Sequence, residues 1–474
     1  MKIASWVLSC SVAIGACAVA QAAAPPAVPA TPAGRVLSAW LQAFDSGDRQ
    51  TLKAFMQRYE PQRLPQLDGE MQFRAMTGGF DLRKIEKSAP DSITALVQEH
   101  LSDQFARLTF QVQSKPPYRI TGGSLDAIPR PAQFALPHLA QAQLLAVAQT
   151  QVEQQAAAGR FSGAVLIAKD GKPVYEKAYG LADRAKKIPN TMDTKFRIGS
   201  MNKMFTATAI MQLVQTGKID LDKPFGTYLT DYPNKATAST VTIRQLLTHT
   251  GGTGDIFGPQ FDKNRLKLRT LQDYIALYGS RPPAFKPGSK FEYSNYGFVL
   301  LGAVIEKVSG QSYYDYVREH IYEPAGMTAT GSEPEDAAVP DRSVGYMAAP
   351  KGGVQPNTDT LPYRGTSAGG GYSTVGDLLR FANALENHTL LNAQYTGMMT
   401  TGKVAMGPGI KYGFGFGDVT VNGVRCFGHN GGAPGMNGDL EICPGDGFVI
   451  AVLSNLDPPA ASRVAQFIAS RLPL

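Results

Sequence analysis

Hydrophobic residues near the start of the chain recur at helical spacing, in two stripes separated by Ser46-Gly47-Asp48. The apolar positions of the stripes are Val36, Leu37, Trp40, Leu41 and Phe44, followed by Leu52, Phe55, Met56 and Tyr59. Strand-like runs follow at 92–99, 104–113 and 118–128, and in the second run apolar and polar residues alternate, as one buried sheet face requires. The pattern predicts a small α+β domain over 35–128. Closely spaced prolines then predict a linker over 129–138.

The rest of the chain begins and ends with strand patterns. A helix is predicted from about residue 139, followed by two strand runs joined at Asp170-Gly171, a hairpin-turn pair. Near the other end, Asn422-Gly423 joins two more runs, and further strands precede a helix near 459–471. Residues 200–400 show mainly helix and loop patterns. For 139–474 we predict an α+β domain, an antiparallel five-stranded sheet flanked by helices with a large helical insert.

The first residues carry the pattern of an export signal. Residues 3–24 contain no charge, follow Lys2 and include Ala20-Gln21-Ala22, which is typical of a signal-peptidase site. We therefore predict a signal peptide over 1–22, a Pro/Ala-rich spacer over 23–34 and a periplasmic or secreted protein of bacterial type. Ile14-Gly15-Ala16-Cys17 allows a second interpretation, a lipoprotein in which a lipidated Cys17 provides the only membrane contact.

Composition and charge exclude several classes of function. Hydrophobic residues make up 43% and charged residues 18% of the chain, which indicates a globular protein. The 46 Lys and Arg against 39 Asp and Glu give a net charge of +7, but these charges are spread along the chain, so no nucleic-acid partner is predicted. The six histidines contain no H-x-x-x-H pair, and we predict neither a metal nor a cofactor.

Two cysteines, Cys426 and Cys443, remain after cleavage of the signal. In an exported protein two thiols favour a disulfide, and the strands that carry them should be antiparallel neighbours joined by the Gly-rich turn at 430–437. Pairing of positions 426 and 443 centres that turn between residues 434 and 435. The alternative is a pair of buried free thiols.

Ser200 begins a segment that is apolar around the whole helix axis as far as Val214, which predicts a fully buried helix. Lys203 lies three residues on, over the same face as Ser200. Desolvation lowers the pKa of an ammonium group, so Lys203 could take the hydroxyl proton of Ser200 and activate it as a nucleophile. The alternative is that Ser200 only caps the helix while Lys203 reaches out to water.

Two further motifs accompany this pair, Tyr293-Ser294-Asn295 and His429-Asn430-Gly431-Gly432. Together with Ser200-Met201-Asn202-Lys203 they resemble the active-site signature of the penicillin-recognising serine hydrolases, which include class C β-lactamases, DD-carboxypeptidases, D-aminopeptidases and related esterases. The resemblance covers about 145–474 and implies a β-lactamase/transpeptidase-like fold. It extends to the stretches at 246–252, 285–302, 367–385 and 412–417.

The resemblance also implies a role for each motif residue. Ser200 would be the acylated nucleophile, with Lys203 and Tyr293 as the proton-transfer pair. The backbone N–H groups of Ser200 and Gly432 would form the oxyanion hole, because a tetrahedral oxyanion needs two donors aimed at one point. The residues implied in substrate binding are Asn295, which would also contact Lys203, and His429, Asn430 and Gly431.

His429 stands where a lysine would present a permanent cation to a substrate carboxylate. A histidine is largely neutral at pH 7, so we predict an acyl-enzyme hydrolase for small-molecule or peptide substrates that favours esters and D-amino-acid amides over β-lactams. We also expect protonation of His429 at pH 5.5 to improve the binding of carboxylate-bearing substrates. The alternatives are a class C-like β-lactamase and a catalytically idle ligand-binding protein of the same fold.

A competing nucleophile motif is Gly365-Thr366-Ser367-Ala368-Gly369, which matches G-x-S-x-G. A nucleophile elbow needs a strand directly before the serine and a helix directly after it, whereas loop-like sequence surrounds Ser367, so this motif is not predicted to be catalytic. We assign structural roles by default to Lys411 and to the other histidines, which are His100, His138, His249, His320 and His388.

The opening of the first domain, AWLQAFDSGDRQTLKAF at 39–55, resembles the first helices of nuclear-transport-factor-2-like cone domains. The resemblance implies a cone-like fold for 35–128. It leaves the role of this domain open.

Overall fold

A computed structural model describes residues 26–349, 352–407 and 409–474. The chain divides into two compact units, one that ends at Ile128 and one that spans Pro129–Leu474. The predicted signal peptide over 1–22, with Cys17, lies outside the described residues, as do residues 23–25 at the start of the predicted spacer.

The first unit packs three helices against one sheet. Its elements are α1 (Pro32–Asp45), α2 (Arg49–Tyr59), α3 (Leu67–Thr77), β1 (Phe80–Ser88), β2 (Ser92–Glu99), β3 (Phe105–Val112) and β4 (Ile120–Ile128). The four strands are antiparallel in the order β1-β2-β3-β4. The aromatic core includes Trp40 and Phe44, whose rings stack with centroids 5.1 Å apart. This arrangement builds the predicted α+β unit, and its cone-like family remains a prediction.

The sequence missed α3 and β1 in this unit. Within α3 only Leu67 and Thr77 are buried, so the helix lacks a continuous apolar stripe. Within β1 only Phe80 and Leu82 are buried, and the next apolar residue, the half-buried Ile85, is three positions after Leu82 and so out of alternation. Periodicity therefore carried no signal at either element.

The second unit contains twelve helices and fourteen strands within the described residues. The helices are α4 (Gln141–Ala157), α5 (Asn202–Gln215), α6 (Lys235–Thr240), α7 (Ile243–Leu247), α8 (Pro259–Asn264), α9 (Leu271–Tyr278), α10 (Asn295–Ser309), α11 (Tyr313–Val317), α12 (Glu323–Ala325), α13 (Val375–Glu386), α14 (Ala393–Thr400) and α15 (Ala460–Ala469). The strands are β5 (Gly163–Lys169), β6 (Lys172–Tyr179), β7 (Leu181–Asp183), β8 (Ile188–Pro189), β9 (Phe196–Arg197), β10 (Tyr346–Ala348), β11 (Val354–Pro356), β12 (Tyr372–Ser373), β13 (Val404–Gly407), β14 (Ile410–Tyr412), β15 (Gly417–Val421), β16 (Val424–Ala433), β17 (Met436–Cys443) and β18 (Phe448–Ser454).

The main sheet has eight antiparallel strands, in the order β13-β14-β15-β16-β17-β18-β5-β6. The prediction of a five-stranded sheet was therefore wrong in strand number, although the sheet is drawn from both ends of the unit as expected. Two causes are visible. Gly415, at φ 72°, separates β14 from β15 within the single strand run that is predicted before Asn422-Gly423. The edge strand β13 is mostly exposed and has no apolar alternation to read.

Both hairpin turns predicted from the sequence are present. Asp170 and Gly171 have positive φ values of 50° and 74°, and they join β5 to β6. Asn422 and Gly423, at 47° and 88°, join β15 to β16. Positive φ at both central residues matches the twist of a two-residue hairpin, which explains the Asp-Gly and Asn-Gly pairs.

The register between β16 and β17 follows the prediction from the cysteine positions. Ala433 pairs with Met436, so the turn lies at residues 434 and 435. Cys426 and Cys443 form a disulfide across a sequence separation of 17 residues. This crosslink joins the two strands on either side of the turn.

The sheet lies between two layers of helices. On one face, α4 and α15 cover a buried cluster that includes Val165 and Ile450. On the other face, the helical insert packs α5 and its neighbours against Leu166, Leu440 and Ala451. The five-residue turn Arg318–Tyr322 connects α11 to α12 within this insert.

In the ranges that the structure describes, no helix combines the length and apolarity needed to cross a bilayer.

Candidate active site

Ser200 lies in the short helical turn Gly199–Met201, which runs directly into α5. Every side chain from Asn202 to Met211 is at most 1% exposed. The helix is thus surrounded by protein on all sides, as its apolar residues around the whole axis require, and the predicted buried helix is confirmed. Burial fixes the axis of α5, and with it the position of the turn that presents Ser200.

Lys203 is the one basic residue of α5, and its side chain is 0% exposed. Its ammonium donates hydrogen bonds to Ser200 Oγ at 3.2 Å, to Asn295 Oδ1 at 2.8 Å and to the backbone oxygen of Ala368. An ammonium group has three N–H donors, and each finds an acceptor here. The alternative in which Lys203 reaches water is therefore wrong.

Burial lowers the pKa of Lys203 from 10.5 to about 7, because desolvation disfavours the charged form. The carboxylate of Asp255 opposes this shift. At neutral pH a substantial fraction of Lys203 is thus an uncharged amine, which is the form able to accept a proton.

The segment from Tyr293 to Asn295 faces Ser200 from the start of α10. Ser294 caps this helix, since its hydroxyl accepts the backbone N–H of Gly297 at 2.9 Å. Tyr293 hydrogen-bonds to Ser200, and burial raises the pKa of Tyr293 well above its usual value although that bond opposes the rise. Lys203 Nζ lies 4.7 Å from the centroid of the Tyr293 ring. The cap therefore brings two of the predicted site residues to the Ser200–Lys203 pair.

Asp255 is a member of this cluster that sequence reasoning missed. Its exposed carboxylate accepts Asn295 Nδ2 at 2.9 Å on Oδ1 and 3.2 Å on Oδ2. This contact directs the opposite end of the amide, Oδ1, toward Lys203. Asp255 lies three residues after the end of the stretch at 246–252 that resembles the family, in a Gly-rich loop, and that proximity was the available signal.

His249 was assigned a structural role by default, and the structure places it behind Tyr293. Their ring centroids are 4.3 Å apart, and His249 Nδ1 accepts the backbone N–H of Ser294 at 3.1 Å. Burial, and then the charge of Lys203, lowers the pKa of His249 well below 6.5. The imidazole is neutral, with its proton on Nε2, and it supports the position of the Tyr293 segment.

His429 lies close to Tyr293, with ring centroids 6.4 Å apart, but it is only 8% exposed. Its Nε2 is 3.0 Å from the hydroxyl of Tyr412, and its Nδ1 contacts the backbone oxygen of Asn430. Burial, reinforced by the charge of Lys203, lowers the pKa of His429 to about 3. The expectation that His429 becomes protonated at pH 5.5 was therefore wrong, because an imidazolium in this enclosed position lacks water to solvate it.

Strand β16 passes against the Ser200 turn at glycines. A Cβ on Gly431 would lie 1.9 Å from the backbone oxygen of Ile198 and 3.0 Å from the backbone nitrogen of Ser200. A Cβ on Gly199, which has φ 53°, would lie 2.9 Å from the nitrogen of Gly432. These contacts leave no room for a side chain on either glycine. The backbone of the Ser200 turn therefore packs directly against β16, and the backbone nitrogens of Ser200 and Gly432 belong to these two adjacent segments. The neighbouring Asn430 is exposed on the same strand.

Ser367, the serine of the competing motif, is 0% exposed. A Cβ on Gly302 of α10 would lie 2.2 Å from its Oγ, so the hydroxyl is packed against that helix. No strand leads into Ser367 and no helix follows it directly. This loop contributes to the site through the backbone oxygen of Ala368, which accepts from Lys203.

The structure thus brings Ser200, Lys203, Tyr293, Asn295 and His429 together. Across the described ranges, no group of three or more His, Cys, Asp or Glu residues could hold a metal ion. The arrangement can supply a hydroxyl nucleophile, a base of suitable pKa and backbone donors for an oxyanion.

Comparison with known proteins extends these observations to the whole second unit. A family model described as Beta-lactamase matches residues 147–472. The chain is 34% identical to PbpX of Bacillus subtilis (strain 168) over 258 residues, which are 54% of this chain and 62% of PbpX, less than two thirds of its length. It is 32% identical to esterase EstB of Burkholderia gladioli over an alignment of 338 positions, which covers 63% of this chain and 83% of EstB. Among solved structures, D-amino acid amidase from Ochrobactrum anthropi SV3 complexed with D-phenylalanine is similar at a TM-score of 0.60 and 26% identity, with 69% of this chain and 97% of the amidase covered.

Proposed function

Since the chain belongs to the Beta-lactamase family and is a serine hydrolase, we propose that it hydrolyses esters and D-amino-acid amides through an acyl-enzyme formed on Ser200. One observation carries this proposal. The fully buried Lys203 lies within hydrogen-bond distance of Ser200 and has its pKa lowered to about 7. A base with a pKa near the working pH is the most effective general base.

The contacts of Lys203 favour proton transfer from Ser200 in particular. The neutral amine has two N–H donors and one lone pair. If the donors serve Asn295 Oδ1 and the Ala368 oxygen, the lone pair is left for Ser200 Oγ, which is 3.2 Å away. Lys203 then takes the hydroxyl proton as Oγ attacks the substrate carbonyl, and Tyr293 is the second proton-transfer group.

The remaining steps follow from the same groups. The N–H groups of Ser200 and Gly432 stabilise the oxyanion, and loss of one such donor typically costs about 10²–10³ in rate. Collapse of the tetrahedral intermediate breaks the bond to the alcohol or amine, which leaves with the proton. Water then attacks the ester on Ser200, and release of the acid restores the hydroxyl. Asn295 of α10 and three residues of β16, which are His429, Asn430 and Gly431, would hold the substrate.

The neutral state of His429 supports esters and amides over β-lactams. With a pKa of about 3, His429 offers no cation to a β-lactam carboxylate at neutral pH. Two similar proteins are named an esterase and a D-amino acid amidase, which also favours esters and amides as the substrates.

A turnover panel tests the proposal. It compares kcat/KM for p-nitrophenyl acetate, a D-alanyl anilide, a D-Ala-D-Ala peptide and a chromogenic cephalosporin. We expect the ester and the anilide to be turned over faster than the cephalosporin. A cephalosporin rate above all the others would favour a class C-like β-lactamase, and no turnover of any substrate would favour an idle binding protein.

We also propose export to the periplasm or the medium, on the basis of the signal pattern at 1–22. Mass spectrometry of the mature N-terminus separates the two interpretations of this region. Cleavage after Ala22 supports a soluble exported protein, whereas a lipid-modified Cys17 supports a lipoprotein.

A further inference from the structure

The basic groups closest to Ser200 carry little charge at neutral pH. Burial lowers the pKa of Lys203 to about 7 and that of His429 to about 3, and it lowers that of His249 well below its ordinary value. Both histidines are therefore neutral, and Lys203 is only partly protonated. A fixed charge that a substrate meets in this site must come from another residue.

Asp255 is such a residue. Its side chain is exposed, and three hydrogen bonds in series lead from its carboxylate through Asn295 and Lys203 to Ser200. A carboxylate has about four acceptor positions. Three contacts from two donor groups are seen here: Asn295 Nδ2 reaches both oxygens, and the backbone N–H of Ile256 reaches Oδ1 at 2.6 Å. The carboxylate can accept a further donor from solvent or from a ligand.

The charged neighbours of Asp255 leave its carboxylate without an ionic partner. Arg281 donates to the backbone oxygen of Asp255 at 2.9 Å, while its guanidinium lies 4.3 Å from the ring centroid of Tyr278. On the Tyr293 segment, Lys290 and Glu292 pair with each other at 2.7 Å. Among the residues that the structure describes, none forms an ion pair with the Asp255 carboxylate.

We propose that Asp255 determines specificity by binding a positively charged group of the substrate, such as an ammonium on the carbon next to the scissile carbonyl. This inference rests on the proposed function, and it narrows the substrate class to cationic acyl groups. The carboxylate holds Asn295 from one side and offers its free acceptor position to the ligand. A charge-assisted hydrogen bond of this kind contributes about ten- to a hundredfold in binding. A substrate carboxylate at the same point would be repelled.

Three matched p-nitroanilides test the proposal at pH 7. They carry an ammonium, a methyl or a carboxylate group on the same carbon, as in D-alanine, isobutyric acid and methylmalonic acid. We expect kcat/KM to fall in that order, with the ammonium compound about ten- to a hundredfold above the methyl compound. Asp255→Asn should bring this ratio close to one, and Asp255→Glu should retain most of it. The matched control is Asp262→Asn, which removes an exposed carboxylate in α8 that forms no hydrogen bond to Asn295 and should leave the ratio unchanged.

If Asp255→Asn is inactive because it disturbs the position of Asn295, a measurement on the wild-type protein tests the role of the Asp255 charge instead. Salt screens an exposed charge, so the ratio should decline as ionic strength rises from about 0.02 M to about 0.5 M. A ratio near one at low salt, with all three anilides turned over, overturns the role of Asp255 and leaves the proposed function standing. Absence of turnover for all three compounds, and for p-nitrophenyl acetate, overturns both.

Discussion

Lys203 Nζ lies 3.2 Å from Ser200 Oγ, and the lysine side chain is completely buried. Burial of an ammonium is costly unless its donors are satisfied, and here Asn295 and Ala368 supply the other two acceptors. The same burial lowers the pKa of Lys203 to about 7. The packing of α5 thus creates the base that Ser200 needs.

The rate should depend on pH through Lys203. Below its pKa of about 7 the amine is protonated and cannot accept the Ser200 proton, so kcat/KM for an uncharged ester should fall about tenfold per pH unit. The profile is measured with p-nitrophenyl acetate between about pH 5 and pH 9. A flat profile, or an acid limb centred near pH 4, would show that Lys203 is not the base.

Asn295→Asp should move that acid limb to higher pH. The new carboxylate would face Lys203 Nζ at the position of Asn295 Oδ1, now 2.8 Å away. An opposite charge at this distance stabilises the ammonium and raises its pKa by about 1–3 units. The same pH profile, recorded on the variant, checks the shift. An unchanged or lowered midpoint would contradict the coupling between these two groups.

Much of this fold could be predicted because local signals agreed with it. The Asp170-Gly171 and Asn422-Gly423 turns and the apolar circumference of α5 each follow from chemistry within a few residues. The register of β16 against β17 followed from two cysteines. The extra edge strands could not be predicted, because β13 is exposed and depends on pairing with β14 for its conformation.

The site residues that belong to sequence motifs could be predicted, whereas a residue that joins the site only through contact between distant segments could not. Ser200, Lys203, Tyr293 and Asn295 belong to motifs, and the structure brings them together. Asp255 joins them only because the loop before α8 folds against the start of α10, a contact across 40 residues of sequence. The lowering of the pKa of His429, which keeps the ring neutral even at pH 5.5, could likewise not be predicted, since it arises from burial beside Tyr412.

Stability should decline as pH rises through neutrality, because β17 carries the buried carboxyl group of Asp439 and the half-buried carboxyl group of Glu441. Burial raises the pKa of both Asp439 and Glu441 above their ordinary values, and the charge of Asp439 raises that of Glu441 further. The folded state therefore binds more protons than the unfolded state, so the stabilisation is complete below about pH 4 and is lost as pH rises through the raised folded values.

Asp439→Asn tests this pH dependence. The variant should lose less Tm than the wild type between about pH 5 and about pH 8, because the amide carries no charge to bury. Differential scanning calorimetry at both pH values gives the comparison, and contributions from Lys203 cancel between the two proteins. Equal Tm losses would show that Asp439 does not titrate in the folded state.

The Cys426–Cys443 disulfide should stabilise the second unit. Closing a loop of 17 residues contributes about 3 kcal/mol in the chain-entropy model, so a Cys426→Ser/Cys443→Ser variant should melt roughly 5 °C lower. Protein purified from an oxidising compartment without reductant should show no thiol that reacts with Ellman's reagent after unfolding. Two titratable thiols, together with an unchanged Tm in the double variant, would contradict the crosslink.

Covalent labelling at Ser200 tests the central claim most directly. Wild-type protein is incubated with a fluorescent fluorophosphonate, and the labelled peptide is identified by mass spectrometry beside assays of p-nitrophenyl acetate hydrolysis. Ser200→Ala should abolish both labelling and hydrolysis, because among the described residues only Ser200 has a hydroxyl hydrogen-bonded to Lys203 Nζ. Ser367→Ala, which alters a fully buried hydroxyl, should retain both. Label on Ser367, or ester turnover that survives Ser200→Ala, would contradict the account.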